Sequence, residues 1–331
     1  MPCYKTLSLD AAIIGEYPIH EAAYVPAPVD KIFGVLGPYV VQFNATTGAY
    51  EDKVRIAAGI YGPMRICYHP TTDRLYVSAR YGTGRLQASV AQPLHDIFPV
   101  VPSTLLVQAG LQTYGWVDSN GSLYDSCAGP DWMVPVGNRL LFWDRYEEIG
   151  EVDWIDVTDP YVTYGIGDGT SGVFLSGNGG TDGTSLYFTC EGYGGVQKFA
   201  NDGSRTDYNP NTYKAVSTDF CTGHPTKPLP YSVCGTKNLV RSNADWSSED
   251  VFDLEAVHVD AAGADPFRIR YRASDSKLYI PCPNPEGVIV WDPATETGTW
   301  KGGFSNPIDI VFTSSKAFAV QESQEGLKEI V

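Results

Sequence analysis

Basic residues are scarce in this chain. Lys and Arg number 23 against 39 Asp and Glu, a formal charge of −16, and no basic cluster offsets the deficit. A surface of that sign repels a phosphate backbone, so nucleic acid is not expected as a partner. Long apolar runs are missing as well. None approaches the ~20 residues of a bilayer-spanning helix. The N-terminal stretch offers only Lys5 and the short Ala11-Ala-Ile-Ile-Gly15 between Asp10 and Glu16, too little for a signal-peptide core. No membrane span and no export signal are expected, which leaves the cytoplasm or a virion as the location. Histidines number five, and no GxSxG elbow, HExxH pair or Walker loop is present. His69 precedes a proline in a turn, and His258 alternates within Val257-His-Val259 as a strand residue would. No catalytic residue is assigned. Seven cysteines, an odd number without a CxxC, indicate no disulfide framework; Cys67, Cys190 and Cys282 sit in apolar runs, where a thiol packs as a small hydrophobe.

What the chain does have is 34 Gly and 23 Pro in 331 residues, with 12% aromatics and 43% hydrophobic residues. That composition supports a large core, breaks long helices and suits strands. One pattern recurs: a polar or basic residue, an aliphatic, usually an aromatic, then another apolar residue. It reads Lys31-Ile-Phe-Gly34, Arg74-Leu-Tyr-Val77, Arg139-Leu-Leu-Phe142, Ser185-Leu-Tyr-Phe188, Lys277-Leu-Tyr-Ile280 and Lys316-Ala-Phe-Ala319. A second apolar run follows most copies, as in Tyr39-Val-Val-Gln-Phe43, Val152-Asp-Trp-Ile-Asp156, Val196-Gln-Lys-Phe199 and Val288-Ile-Val-Trp291. Turn sequences come next, among them Asn44-Ala-Thr-Thr-Gly48 and Asn201-Asp-Gly203. Met64-Arg-Ile-Cys-Tyr68 and Pro307-Ile-Asp-Ile-Val311 precede two of the copies as a further strand.

Four strands at a period of 40 to 50 residues define a β-propeller blade. The aliphatic positions 32, 75, 140, 186, 278 and 317 lie 43, 65, 46, 92 and 39 residues apart, and the path from 317 round the termini to 32 adds 46. The gap of 92 leaves room for a degenerate blade within 209–265 using Lys237-Asn-Leu-Val240. The gap of 65 contains an insertion within 91–130. The expected fold is therefore all-β, a single β-propeller domain over 1–331 with seven blades, or six and a long insertion, and irregular insertions near 91–130 and 209–265. The last unit lacks an outer strand, which the alternating Tyr4-Lys-Thr-Leu-Ser-Leu9 supplies as a latch paired with 327–331, covering an otherwise open edge.

Gly287-Val-Ile-Val-Trp-Asp-Pro-Ala-Thr-Glu-Thr-Gly298 and His69-Pro-Thr-Thr-Asp-Arg-Leu-Tyr-Val77 resemble the repeats of YVTN and NHL-type propellers. The resemblance covers four blades well and two loosely, and it implies the fold and little else. It does not extend to WD40 proteins, whose repeated Gly-His and Trp-Asp signatures are missing. The Glu-Gly-Pro-x-Trp opening with which lactonase-type propellers hold a metal has only Glu191-Gly-Tyr193 as an echo.

Two sets of residues are candidates for a site. Asp118, Asn120 and Asp125 offer oxygen ligands at calcium-loop spacing, although a plain Asx/Gly turn explains the same residues; no other cofactor is expected. The stretch from Tyr208 to Trp246 breaks the repeat and carries Tyr208, Tyr213, Phe220, Tyr231 and Trp246, the residue types that dominate interfaces. The function that follows is a non-enzymatic interaction or structural propeller with protein partners in a larger, in one form homo-oligomeric, assembly such as a phage virion. A metal-dependent lactonase-like or lyase-like enzyme and a glycan-binding propeller are the alternatives.

Overall fold

The computed structural model describes residues 19–36, 39–55, 63–71, 74–79, 82–87, 111–112, 115–117, 123–124, 130–144, 152–156, 164–165, 179–189, 196–209, 215–221, 223, 229–234, 237–242, 249–266, 268–322 and 326–331. Strands dominate them. The first sheet is β1 (Ile19–Val25), β2 (Lys31–Leu36), β3 (Tyr39–Asn44) and β4 (Tyr50–Arg55), and the second is β5 (Pro63–His69), β6 (Arg74–Ala79) and β7 (Gly82–Gln87). A small third sheet holds β8 (Leu111–Gln112), β9 (Gly115–Val117) and β10 (Leu123–Tyr124). The fourth is β11 (Pro130–Val136), β12 (Arg139–Asp144), β13 (Val152–Asp156) and β14 (Tyr164–Gly165), and the fifth is β15 (Gly180–Thr181), β16 (Ser185–Thr189), β17 (Val196–Ala200) and β18 (Arg205–Asn209). Then come β19 (Ala215–Cys221), β20 (Leu229–Cys234), β21 (Asn238–Ser242) and β22 (Glu249–Asp253), followed by β23 (Arg270–Arg272), β24 (Lys277–Cys282), β25 (Gly287–Asp292) and β26 (Thr297–Gly302). The eighth sheet is β27 (Pro307–Phe312), β28 (Ala317–Gln321) and β29 (Leu327–Glu329). Within every sheet, strands consecutive in sequence pair side by side and antiparallel. No helix among the described residues is long and apolar enough to cross a membrane.

The six copies of the basic-aliphatic-aromatic pattern fall in the second strands, from β2 to β28. Of these, β2, β24 and β28 have neighbouring sheets on both faces and are buried almost throughout, whereas the outer strand β26 alternates between exposed and half-buried residues. Burial on both sides is why these strands read as continuous apolar runs. Their tyrosines also hydrogen-bond. Tyr187 Oη donates to Asp182 Oδ2 at 2.9 Å and Tyr279 Oη to Asp275 Oδ2 at 2.6 Å, tying each strand to the turn before it; burial, with this bond, pushes the Tyr279 phenol up to about 12.

Between 215 and 253 the chain forms the four-stranded sheet β19–β22. The sequence reading needs one correction here. Lys237-Asn-Leu-Val240 belongs to the third strand, β21, and the second strand is β20, where Pro230 interrupts the pattern in Leu-Pro-Tyr. Both central strands of a sheet are buried on two faces, so their patterns are interchangeable to the eye. His258 needs another. It lies between two 3-10 turns, Leu254–Val257 and Val259–Ala261, and its Nδ1 accepts from the Asp260 N–H.

The core is built pairwise between sheets. Ile32, Val41 and Phe43 of the first sheet pack with Val311, Phe318 and Leu327 of the last. Phe33, Val35 and Val40 pack with Ile66 and Leu75 of the second. Tyr231, Val233 and Leu239 meet Leu278, Ile280 and Trp291, while Tyr279 and Val288 meet Ile310 and Ala319. First strands adjoin in the same order: β1 touches β5 and β27, β5 touches β11, β11 touches β15, β15 touches β19, β19 touches β23, and the next contact is of β24 with β27. The β8–β10 sheet adjoins β7. At the junction of first and last sheets, Gly48 closes the β3–β4 turn at φ +68°, and a Cβ there would come within 2.9 Å of the Phe318 ring. The segments 4–9 and most of 91–130, where the latch and the insertion are expected, lie outside the described residues.

His69 illustrates the seams. It is fully buried at the end of β5, and its Nε2 meets the Arg139 carbonyl of β12 at 3.2 Å. Burial pushes this imidazole below its ordinary value. The unfolded chain therefore binds a proton that the folded chain refuses, so stability is complete above about pH 6.5 and falls as pH drops toward the depressed folded value. In urea titrations from pH 7.5 downward, His69→Gln is expected to flatten this part of the stability profile; an unchanged slope contradicts the assignment.

Candidate functional site

The first strands carry charged residues where an apolar side chain would be ordinary. Glu21 on β1, Arg268 just before β23 and Asp309 on β27 are 5%, 2% and 0% exposed, and they stand at one level. Glu21 and Arg268 lie four residues before the end of their hairpin pairing, at Val25 and Arg272, and Asp309 lies three before Phe312. Glu21 and Asp309 each follow a register shift, after Ile19 and Pro307, and such bulges re-aim side chains. The similar shifts in β5, β11 and β19 make the bulge a recurring part of the unit.

These side chains converge. Asp309 Oδ2 accepts from Arg268 Nη1 at 2.6 Å, and its two oxygens accept from Arg270 Nε at 2.9 Å and Nη2 at 3.0 Å, a two-pronged guanidinium–carboxylate pair. Arg270 Nη2 also donates to Glu21 Oε1 at 3.2 Å, and Glu21 Oε2 accepts the Ile66 N–H of β5 at 3.1 Å. Four strands distant in sequence thus share one polar cluster. Burial alone would raise the Asp309 carboxyl, but the flanking Arg268 and Arg270 hold it below the usual carboxylate range. Burial opposes the charge on Arg270, and Asp309 and Glu21 outweigh it, raising the guanidinium.

Above this cluster is a cavity of about 380 Å³. Its wall takes residues from the first strands of seven sheets: Glu21 to Tyr24, Ile66 to Tyr68, Met133 to Pro135, Gly179 to Thr181, Asp219, Arg270 with Tyr271, and Ile310 to Phe312. Asp219 Oδ2 accepts the Tyr271 N–H at 2.6 Å, joining β19 to β23. Cys67 and Cys282 are not in disulfides, and burial pushes the Cys282 thiol up to about 12.

The residues singled out in the sequence are elsewhere. Asp118, Asn120, Asp125, Tyr213 and Trp246 lie outside the described residues. Tyr208 and Phe220 stand on β18 and β19, and their side chains lie outside the description. Tyr231 corrects the expectation of a displayed aromatic, because it is wholly buried on β20. Its hydroxyl accepts from Arg241 Nη1 at 3.2 Å, and burial pushes it up to about 12. Arg241 is itself buried and paired with Asp250 and Glu296, so the pair closes a seam between sheets.

No protein-family model and no curated protein matches the chain. Solved structures do. A chain in the "Crystal Structure of Mitotic Checkpoint Complex" is similar at TM-score 0.63 and 13% identity, over 94% of this chain and 86% of that one. Sqt1 of Saccharomyces cerevisiae gives 0.59 and 9%, over 94% and 84%. A streptogramin B lyase gives 0.61 and 10%, over 94% and 92%. All three are propeller-type folds, and the likeness defines this chain as an all-β protein of that type.

Removing one partner of a buried ion cluster leaves the others uncompensated. Asp309→Asn is expected to cost about 3–5 kcal/mol of unfolding free energy, whereas Lys31→Met, which breaks the partly exposed pair with Glu51, is expected to cost at most about 1 kcal/mol. Equal effects in chemical denaturation would contradict the role given to the cluster.

Proposed function

We propose that the chain is a closed propeller of seven units that serves as a non-enzymatic scaffold, binding protein partners within a larger assembly such as a virion. The observation that carries the reading is the use made of the charges among the first strands. Glu21, Arg268, Arg270 and Asp309 bind one another and the β5 backbone, so each of them serves to join sheets. The run of contacts from β1 through β5, β11, β15, β19 and β23 and back from β27 to β1 supports seven units, with β8–β10 as an insertion. The outer edge of β29 supports the latch: among the described strands it pairs only with β28, and Tyr4–Leu9 takes the place of a fourth strand. Tyr208, Tyr213, Phe220 and Trp246 supply partner contacts.

Amine cross-linking of the native assembly, read by mass spectrometry, tests both parts. Links from this chain to a stoichiometric protein partner, together with a Lys5–Lys328 link within the chain, are the expected result. A free monomer containing one equivalent of metal would overturn the scaffold reading in favour of a lactonase-like or lyase-like enzyme, and a Lys5 that links only to residues remote from β29 would overturn the latch.

A further inference from the structure

We infer that the cavity among the first strands binds one neutral sugar ring of pyranose size. This goes beyond the scaffold role and does not depend on it. The cavity volume of about 380 Å³ is at the small end of the ~300–1,000 Å³ typical of ligand pockets. Four aromatic residues, Tyr24, Tyr68, Tyr271 and Phe312, line it, and on the β15 side Gly179 and Gly180 bring bare backbone to the wall. Aromatic faces pack well against the C–H faces of a pyranose, whose hydroxyls then need partners at the edge.

Partners of both kinds are there. Arg270 uses Nε and Nη2 on the carboxylates of Asp309 and Glu21, its Nη1 takes part in none of these bonds, and its side chain keeps 22% exposure where it lines the cavity. Nη1 is therefore a fixed donor. Glu21 and Asp219 line the same cavity as carboxylate acceptors, already oriented by the N–H groups of Ile66 and Tyr271. A hydroxyl both accepts and donates, so one polyol hydroxyl can accept from Arg270 while donating to a carboxylate oxygen that already holds other bonds.

Charge weighs most against an anion. The two carboxylates of Glu21 and Asp309 balance the two guanidinium groups of Arg268 and Arg270, and Asp219 leaves one carboxylate in excess. An anion brought to Nη1 meets the carboxylates of Glu21, Asp219 and Asp309, and a cation brought to Asp219 meets Arg270. A neutral ligand pays neither penalty.

Saturation-transfer NMR on the full chain, with the methyl glycosides of glucose, galactose, mannose and N-acetylglucosamine as probes and benzoate and choline as charged comparators, tests this. At least one glycoside is expected to bind with Kd of about 1 mM or tighter, and Tyr68→Ala to weaken it about tenfold. Asp219→Asn and Phe312→Leu are expected to weaken the same glycoside, so the test stands if Tyr68→Ala does not fold. The inference is overturned if no glycoside binds, if only benzoate or choline binds, or if the folded variants bind the glycoside as the parent does.

Discussion

The buried pairing of Arg270 with Asp309 and Glu21 is the constraint on which the arrangement of sheets depends. Each sheet is local, made of strands consecutive in sequence, and local hairpins carry no information about which distant sheet they should face. Arg270 and Glu21 are 249 positions apart. Their contact fixes the first sheet relative to the seventh and eighth, and the Ile66 N–H on Glu21 adds the second. A hydrophobic seam tolerates sliding, because dispersion and burial have little direction. A two-pronged ion pair inside it does not, since a shift of an ångström or two leaves charge buried and unmatched.

Around that fixed point the apolar work is shared out in repeats. The second strands β2, β24 and β28 each lie between two neighbouring sheets, so side chains such as Ile32, Leu278 and Phe318 belong to an inter-sheet layer as well as to their own hairpins. Turn chemistry sets the ends: Asn44 Oδ1 accepts from the Thr46 and Thr47 N–H groups, and Asp182 takes the Thr184 and Ser185 N–H groups together with the Tyr187 hydroxyl. The result is a stiff frame that holds residues from many parts of the chain around one small cavity. Stiffness of that kind suits recognition, because little conformational entropy remains to be lost on binding.

Much of the frame was legible in the sequence, for a physical reason. Two-faced burial and hairpin turns are local demands, and they write Leu-Tyr-Val runs and Asn-x-x-x-Gly turns in order. The degenerate unit was harder because Pro230 breaks the apolar run of β20. The cavity residues were not legible. Glu21, Asp219 and Asp309 look like surface acids in any short window, as in Pro307-Ile-Asp-Ile-Val311, and only register shows that a bulge turns two of them inward. The signal was an acid inside an otherwise apolar first strand, as in Glu21-Ala-Ala and Ile308-Asp-Ile. Tyr231 misled in the opposite sense, since aromatics in an irregular stretch suggest display, and here the ring fills the core while Arg241 satisfies its hydroxyl.

The most direct measurement is a double-mutant cycle in urea on Glu21→Gln and Arg270→Met. If these residues join the first and seventh sheets, their effects on unfolding free energy are coupled, by about 0.5–3 kcal/mol. Additivity within about 0.3–0.5 kcal/mol would mean that the two side chains do not interact, and would contradict the junction described between these sheets.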